Sequence, residues 1–295
     1  MSGSFKVILF YKYTNIDNPE KLMEEQRKIC QKLNIRGRMI IAKEGINATL
    51  EGREENIKKY CDALLKEHRF KGTHIKLSEG IGSAFPKLSI KVREEIVASG
   101  LDGLDPNKVT GKYITAEELH SWIGNKKEFY IVDMRNDYEQ RVGYFENSIL
   151  SNMENFRDLP KFLPKLAHLK GKNIVTVCTG GVRCEKASSF LLENGFKDVY
   201  QLYGGIVTYM EKYPNEHFKG GLYVFDNRLV IGFNMDNPKR EIVGKCASCN
   251  KPSENYINCK DDFCHRHFIA CKDCVDFENK AICPMGCRDF AILNM

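Results

Sequence analysis

The chain has 295 residues, a formal net charge of +6, and 42% hydrophobic and 28% charged residues. That composition excludes collagen-like and intrinsically disordered classes, and the length suits about two domains or three small ones. The longest apolar runs, such as Val7-Ile8-Leu9-Phe10-Tyr11, are far too short for a helical membrane span, so no membrane partner is expected.

The first residues, MSGSFKVILFYKYT, lack a cationic start, a long apolar core and a small-residue cleavage site, so a cytoplasmic location is expected. FKVILFYKY (5–13) predicts a strand, and NPEKLMEEQRKICQKL (18–33) a helix capped by Asn18 with Pro19 at its first position. RGRMIIA (36–42) and INATLEG (46–52) predict strands around a KEG turn, and NIKKYCDALLKEHR (56–69) has helical periodicity. HIKLSEG (74–80) and LSIKVREEIV (88–97) alternate as strands. The order β-α-β-β-α-β over residues 1–98 is the ferredoxin-like α+β arrangement with one extra strand.

Gly, Asp, Asn and Pro punctuate ASGLDGLDPNKVTGKY, which marks residues 99–113 as a linker. Across 114–215 strands and helices alternate. TAEELHSWI is a helix with Thr115 and Glu118 as a capping box, and FYIVDMR and NIVTVC are strands. EKASSFLLENG is a helix and DVYQLYG another strand. This spacing predicts an α/β domain with a parallel sheet. Residues 216–240 predict a two-stranded ribbon connector turning at Asp226-Asn227, and residues 241–295 form a Cys-rich tail.

Cys178 falls where a buried parallel strand ends, and ligands gather outside the carboxyl ends of such strands. The following residues, Thr179, Gly180, Gly181, Val182, Arg183 and Cys184, turn into a helix. Two glycines let backbone amides face inward as an anion nest. The helix N-terminus and Arg183 add positive charge, so the Cys178 thiol should ionise easily and be reactive. A bland alternative is a cysteine that merely closes a strand. Cys184 is expected to pack the first helical turn; resolving an oxidised Cys178 is its other possible role.

CTGGVRC, the upstream VDMRNDYE and the downstream LYGGIVTY resemble the rhodanese family of sulfurtransferases over residues 114–215. The resemblance implies that Cys178 becomes a persulfide within a six-residue loop ending at Arg183. It also makes Asp133 and Arg135 an ion-paired strut beside the site. Related phosphatases have one residue more between Cys and Arg, so phosphate hydrolysis is the weaker reading. Tyr144 stands where many rhodaneses have His.

Eight of the twelve cysteines lie in the tail, as Cys246/Cys249, Cys259/Cys264, Cys271/Cys274 and Cys283/Cys287. In a reducing compartment such pairs favour metal over disulfides, and two pairs complete a tetrahedral thiolate site. Two structural zinc ions are expected, with interleaved or sequential pairing both open and His265 and His267 read as non-ligands. Each Cys₄ zinc site carries a net charge of about −2. The formal +6 is therefore weak evidence for nucleic acid.

GRMIIAKEGINATLEG (37–52), CTGGVRCEKAS (178–188) and the order of domains together resemble the rhodanese-domain tRNA uridine 5-hydroxylases. That resemblance implies a tRNA modification enzyme, an oxidoreductase that hydroxylates the wobble uridine, with tRNA as partner and O₂ as co-substrate. No flavin or nicotinamide motif is apparent. The N-terminal domain resembles acylphosphatase, but TNIDNP (14–19) lacks the arginine that enzyme needs. The domain is therefore read as packing or RNA-positioning, with Lys6, Lys12, Arg36, Arg38, Lys43, Arg53, Lys58 and Lys59 available for phosphates. The alternative is a sulfurtransferase carrying a persulfide from thiosulfate or another persulfide donor; a third reading is an anion-binding protein. Nothing in the pattern sets an oligomeric state.

Overall fold

The fold is that of a computed structural model, which describes residues 4–101, 103–238, 240–262, 264 and 266–284; His265 and Cys287 lie outside them. The first unit contains β1 (Phe5–Tyr13), α1 (Pro19–Lys32), β2 (Arg36–Ala42), β3 (Gly45–Arg53), α2 (Glu54–Lys66), β4 (Lys76–Glu79) and β5 (Leu88–Val92). The sheet order is β4-β1-β3-β2-β5, with only β2–β5 parallel. Asn18 accepts from the Lys21 amide at 2.8 Å, and Pro19 opens the helix. Strand period decides the faces. Ile8, Phe10, Met39, Ile41, Ile46 and Leu50 pack against Leu22 and Cys30 of α1 and Ile57 and Tyr60 of α2. The intervening residues face the other way.

Two strands are shorter than the sequence suggests. The 74–80 stretch narrows to Lys76–Glu79, and 88–97 stops at Val92. Past Val92 the chain wraps around Glu95, whose carboxylate accepts from the Ser99 amide and hydroxyl, the Gly100 amide and Lys186 Nζ. Those contacts outcompete a ladder.

The second unit comprises β6 (Lys112–Ile114), α3 (Ala116–Gly124), β7 (Tyr130–Asp133), α4 (Asp137–Gln140), β8 (Gly143–Phe145) and β9 (Ile149–Leu150). It continues with α5 (Leu159–Leu166), β10 (Asn173–Val177), α6 (Val182–Glu193), β11 (Asp198–Leu202) and α7 (Gly205–Lys212). The sheet runs β6-β11-β10-β7-β9 with every pair parallel. The segment read as a linker thus ends in an edge strand. The Thr115/Glu118 capping box is formed. Leu119, Ile206, Tyr209 and Met210 of α3 and α7 cover one face, and Leu159, Phe162, Ala187 and Leu191 of α5 and α6 the other. β10 is central, so its carboxyl end opens into the middle of the domain.

The remainder is small ribbons. β12 (Phe218–Gly220) pairs with β8, and β13 (Leu222–Tyr223) pairs with β14 (Val230–Ile231), the short ribbon predicted across Asp226-Asn227. β15 (Tyr256–Asn258) and β16 (His267–Ile269) form a hairpin in the cysteine tail. Among the described residues no helix is long and apolar enough to cross a membrane.

Candidate active site

β10 delivers Cys178 at its carboxyl end, and α6 starts at Val182, so the turn between them must reverse within four residues. Gly181 makes this possible with φ +102°. Its amide donates to Cys178 Sγ at 3.2 Å. The loop carbonyls are tied from behind: Ile206 N donates to Cys178 O (2.9 Å) and Val207 N to Thr179 O (3.1 Å). Gly205 allows this, because a Cβ there would meet Cys178 O, Gly180 C and Gly181 N, each at 2.7 Å. The LYGG sequence is thus the floor of the loop.

Cys178 has no exposed surface. Burial alone would push its thiol up. A hydrogen bond from the Cys184 side chain, the Arg183 charge and the Cys184 and Gly181 amides together bring it down to about 6. Two expectations change here. Cys184 is buried, as a packing residue would be, but its thiol also donates to the Cys178 sulfur; burial first, and then that hydrogen bond, raise its own value well above that of a free thiol. Arg183 does not point its fork at the sulfur. Its Nη1 and Nη2 form a bidentate pair with Glu139, the Nη2–Oε2 distance being 2.7 Å. The guanidinium reaches Cys178 through its charge rather than through a contact.

Glu139 is the site residue that sequence reasoning missed. It is fully buried and also accepts from Thr179 Oγ1 (3.1 Å) and the Asn136 amide (3.0 Å). Burial opposes its ionisation, but Arg183 and then Arg135 hold it below the usual carboxylate range. The signal was present in VDMRNDYE, where Asn136 and Glu139 have helix-start spacing. Asp133 and Arg135 form the predicted strut. Arg135 Nη2 donates to Asp133 Oδ2 (2.6 Å) and Gly143 O (2.7 Å), both side chains being completely buried. They fix α4, and with it Glu139.

The open face of the first sheet covers this loop. A Cβ on Gly180 would come within 2.6 Å of Leu9 Cδ2, and one on Gly181 within 2.9 Å of the Tyr11 hydroxyl. Tyr11 donates to Glu185 (2.9 Å), Tyr13 to Val182 O (3.3 Å), and Lys186 of α6 bridges Glu44 and Glu95. The ribbon adds a third clamp, where Arg228 reaches Ser78 Oγ and Glu79 O. Between these elements lies a cavity of about 500 Å³, within the range of small-molecule sites. Leu9, Ile40, Phe85, Phe156 and Val207 give it apolar walls; Lys76, Asn136, Arg38, Arg157 and Cys178 also line it. The basic residues proposed for phosphate contact do not share one face. Arg38 lines this cavity, Lys6 pairs with Glu79, and Lys58 and Lys59 ride on α2 behind the sheet.

In the tail Cys246, Cys249, Cys271 and Cys274 bring their sulfurs within 4.8 Å of one another, as do Cys259, Cys264 and Cys283. The first pair therefore joins the third, and the second joins Cys283 of the fourth, with Cys287 outside the described residues. A tetrahedral zinc with Zn–S near 2.3 Å spaces its sulfurs about 3.8 Å apart. Cys249–Cys271 at 3.5 Å and Cys264–Cys283 at 3.6 Å suit such a metal. His267 belongs to neither cluster. It stacks on Tyr256 and bonds Asn258 and Tyr223. Tyr256 donates to Tyr138 O, so the tail buttresses α4.

Three family models match in series: the UPF0176 acylphosphatase like domain at residues 5–96, the Rhodanese-like domain at 115–212 and the Rhodanase C-terminal at 219–288. The chain is 40% identical over 284 residues to the tRNA uridine(34) hydroxylase of Cytophaga hutchinsonii, covering 96% of this chain and 90% of that one. It is 38% identical over 288 residues to the enzyme of that name from Bacillus cytotoxicus, covering 96% and 88%. The Bacillus licheniformis protein of the same name is 39% identical over 277 residues, covering 92% and 85%. The chain belongs to the tRNA uridine(34) hydroxylase family. Within this family's architecture the acylphosphatase-like sheet is, in this chain, a wall of the rhodanese cavity.

Proposed function

We propose that this chain is an oxidoreductase that hydroxylates uridine 34 of tRNA at C5, with Cys178 as its reactive group. The observation that supports the chemical part is a buried sulfur that accepts from the Gly181 amide beside Cys184 and the Arg183–Glu139 pair, a setting that brings its thiol down to about 6. A thiolate adds to C6 of a pyrimidine, and the displaced π pair makes C5 nucleophilic, which is where oxygen must enter. Molecular oxygen is the co-substrate the family resemblance implies. The expected result is that tRNA from a deletion strain lacks 5-hydroxyuridine derivatives and that the wild-type gene, but not Cys178→Ser, restores them. Unchanged 5-hydroxyuridine in the deletion strain would refute the reading. Loss of thiolated bases instead would favour the persulfide sulfurtransferase, whose outer sulfur the same donors could hold. The work takes place in the cytoplasm, where tRNA is.

The two tail clusters hold two structural zinc ions in this reading. Cys246, Cys249, Cys271 and Cys274 supply one donor set, and Cys259, Cys264 and Cys283 with Cys287 the other. Zinc there would lock the hairpin that supports α4, and takes no part in the chemistry. Elemental analysis should return two zinc ions per chain; one ion or none would remove a site.

A further inference from the structure

Arg183 turns both terminal nitrogens to Glu139, so charge that moves off the sulfur onto a substrate calls for another cation of the cavity. The candidate cation comes from the other domain. Lys76, at the start of β4, is only 5% exposed and lines the same cavity as Cys178. Its place follows from register: Lys76 pairs with Leu9, which packs on Gly180, so strand period turns Lys76 toward the loop rather than into the helical core. Its Nζ lies over the Tyr11 ring, 4.7 Å from the centroid. Among the described residues no carboxylate lies within ion-pair distance of it. A buried ammonium without a salt bridge costs stability, and apolar residues of similar volume would serve packing better. Such groups gather at functional sites.

We propose that Lys76 is a catalytic residue, whose ammonium meets the negative charge that forms on the uracil ring when Cys178 adds to it. This rests on the reading of Cys178 and uridine 34 given above. The step balances within the site. The Cys178 Sγ lone pair forms the bond to C6, and the C5–C6 π pair moves through C4 onto O4. Lys76 stabilises that enolate by charge and hydrogen bonding, without needing to transfer its proton. Reprotonation at C5 from solvent and reversal exchanges the C5 hydrogen. A preorganised cation held against largely apolar walls is effective because it is already in place when the charge develops.

Tyr11 of β1 lies under Lys76, the charges of Cys178 and Glu185 act on it, and Lys76 acts in turn on His74; Arg38, Arg157, Arg183 and Arg228 are the other cations lining the cavity. Burial pulls the lysine down to about 8, against the charges of Cys178 and Glu185. A base with a lowered value is protonated below about 8 and loses its charge above it. The rate should therefore rise through about 6 as Cys178 ionises and fall above about 8 as Lys76 is neutralised.

The test uses the full chain and tRNA carrying uridine tritiated at C5, without oxygen, so that tritium release reports adduct formation apart from oxygenation. Wild type should release tritium and Cys178→Ser should not. Lys76→Met should lower the release rate 100- to 1,000-fold, an effect of the size seen when one oxyanion donor is removed. Its tRNA affinity should stay within about threefold and its melting temperature should not fall. Lys76→Arg should recover at least about tenfold of the loss and move the alkaline limb to higher pH. A Lys76→Met rate within about threefold of wild type overturns the role of Lys76 and leaves uridine hydroxylation standing. So does a loss explained by weaker tRNA binding or unfolding, with Lys76→Arg no better. Hydroxylation with oxygen but no tritium release overturns the adduct and Lys76 together. A wild type that neither hydroxylates nor exchanges overturns the functional reading itself.

Discussion

Cys30 and Cys178 are both cysteines with no exposed surface, and they are held in opposite states. Cys30 sits on α1 among Ile16, Leu22, Ile35 and other apolar side chains of the first core, and burial alone pushes its thiol up to about 12. Cys61, on α2 and half-buried, is pushed up to about 11, by burial and then by Asp62. Cys178 suffers the same burial yet falls to about 6. The difference lies in donors. Around Cys178 an amide, a second thiol and a guanidinium charge converge, whereas no such group adjusts Cys30. Depth in a protein makes a thiol inert by default, and only a built cradle reverses that.

The largest expected effect is the contrast itself. Iodoacetamide labelling of the native chain from pH 5 to pH 9, read by mass spectrometry, should show Cys178 labelling with a midpoint near 6. Cys30 should stay unlabelled throughout unless the protein unfolds. The sign follows from the folded value lying below the unfolded one. Cys178 contributes stability in full above the free-thiol value of about 8.5 and loses it as pH falls toward 6. Below that the sulfur is protonated and labelling should stop. A Cys178 midpoint near that of free cysteine would break the comparison, since the cradle would then be no better than a hole. Slow labelling with a midpoint near 6 would leave the comparison intact and report only that Leu9 and Tyr11 shield the loop.

Much of the cradle was legible as sequence because it depends on local order. Strand, two glycines and helix within a dozen residues fix where amides point, and the tail cysteines declare themselves by pairs. Asp133 and Arg135 are two residues apart and meet as a strut for the same reason. What escaped notice depends on contacts distant in the chain. Glu139 matters because Arg183, far along the chain, needs a partner once both are buried. Lys76 read as an ordinary polar position in an alternating strand, and only the packing of one domain on the other places it in the same cavity as Cys178. The pairing of the tail cysteines was open for the same reason. Spacing says which thiols are neighbours, while the hairpin of β15 and β16 decides which pairs meet.

The smallest effect is the most informative about how the cradle works. Cys184 was expected to pack and it is fully buried, so its truncation removes volume as well as a thiol. Volume and donation are separable, because hydrogen bonding from the Cys184 side chain, ahead of the Arg183 charge, favours ionisation of Cys178. A hydrogen bond to a charged group is worth about 1.5–3 kcal/mol, which corresponds to roughly one to two pKa units. Cys184→Ala should therefore raise the Cys178 labelling midpoint by about that much and slow labelling at pH 6.5 roughly tenfold. Cys184→Ser keeps a donor of nearly the same size and should leave the midpoint within about half a unit of wild type. If alanine and serine behave alike, the second thiol is filler and the amides and guanidinium carry the burden. If only alanine shifts the midpoint, the loop uses its second cysteine as a hydrogen-bond donor to hold the first one ionised, and that S–H supplies part of the contrast with Cys30 while the amides and the guanidinium charge supply the rest.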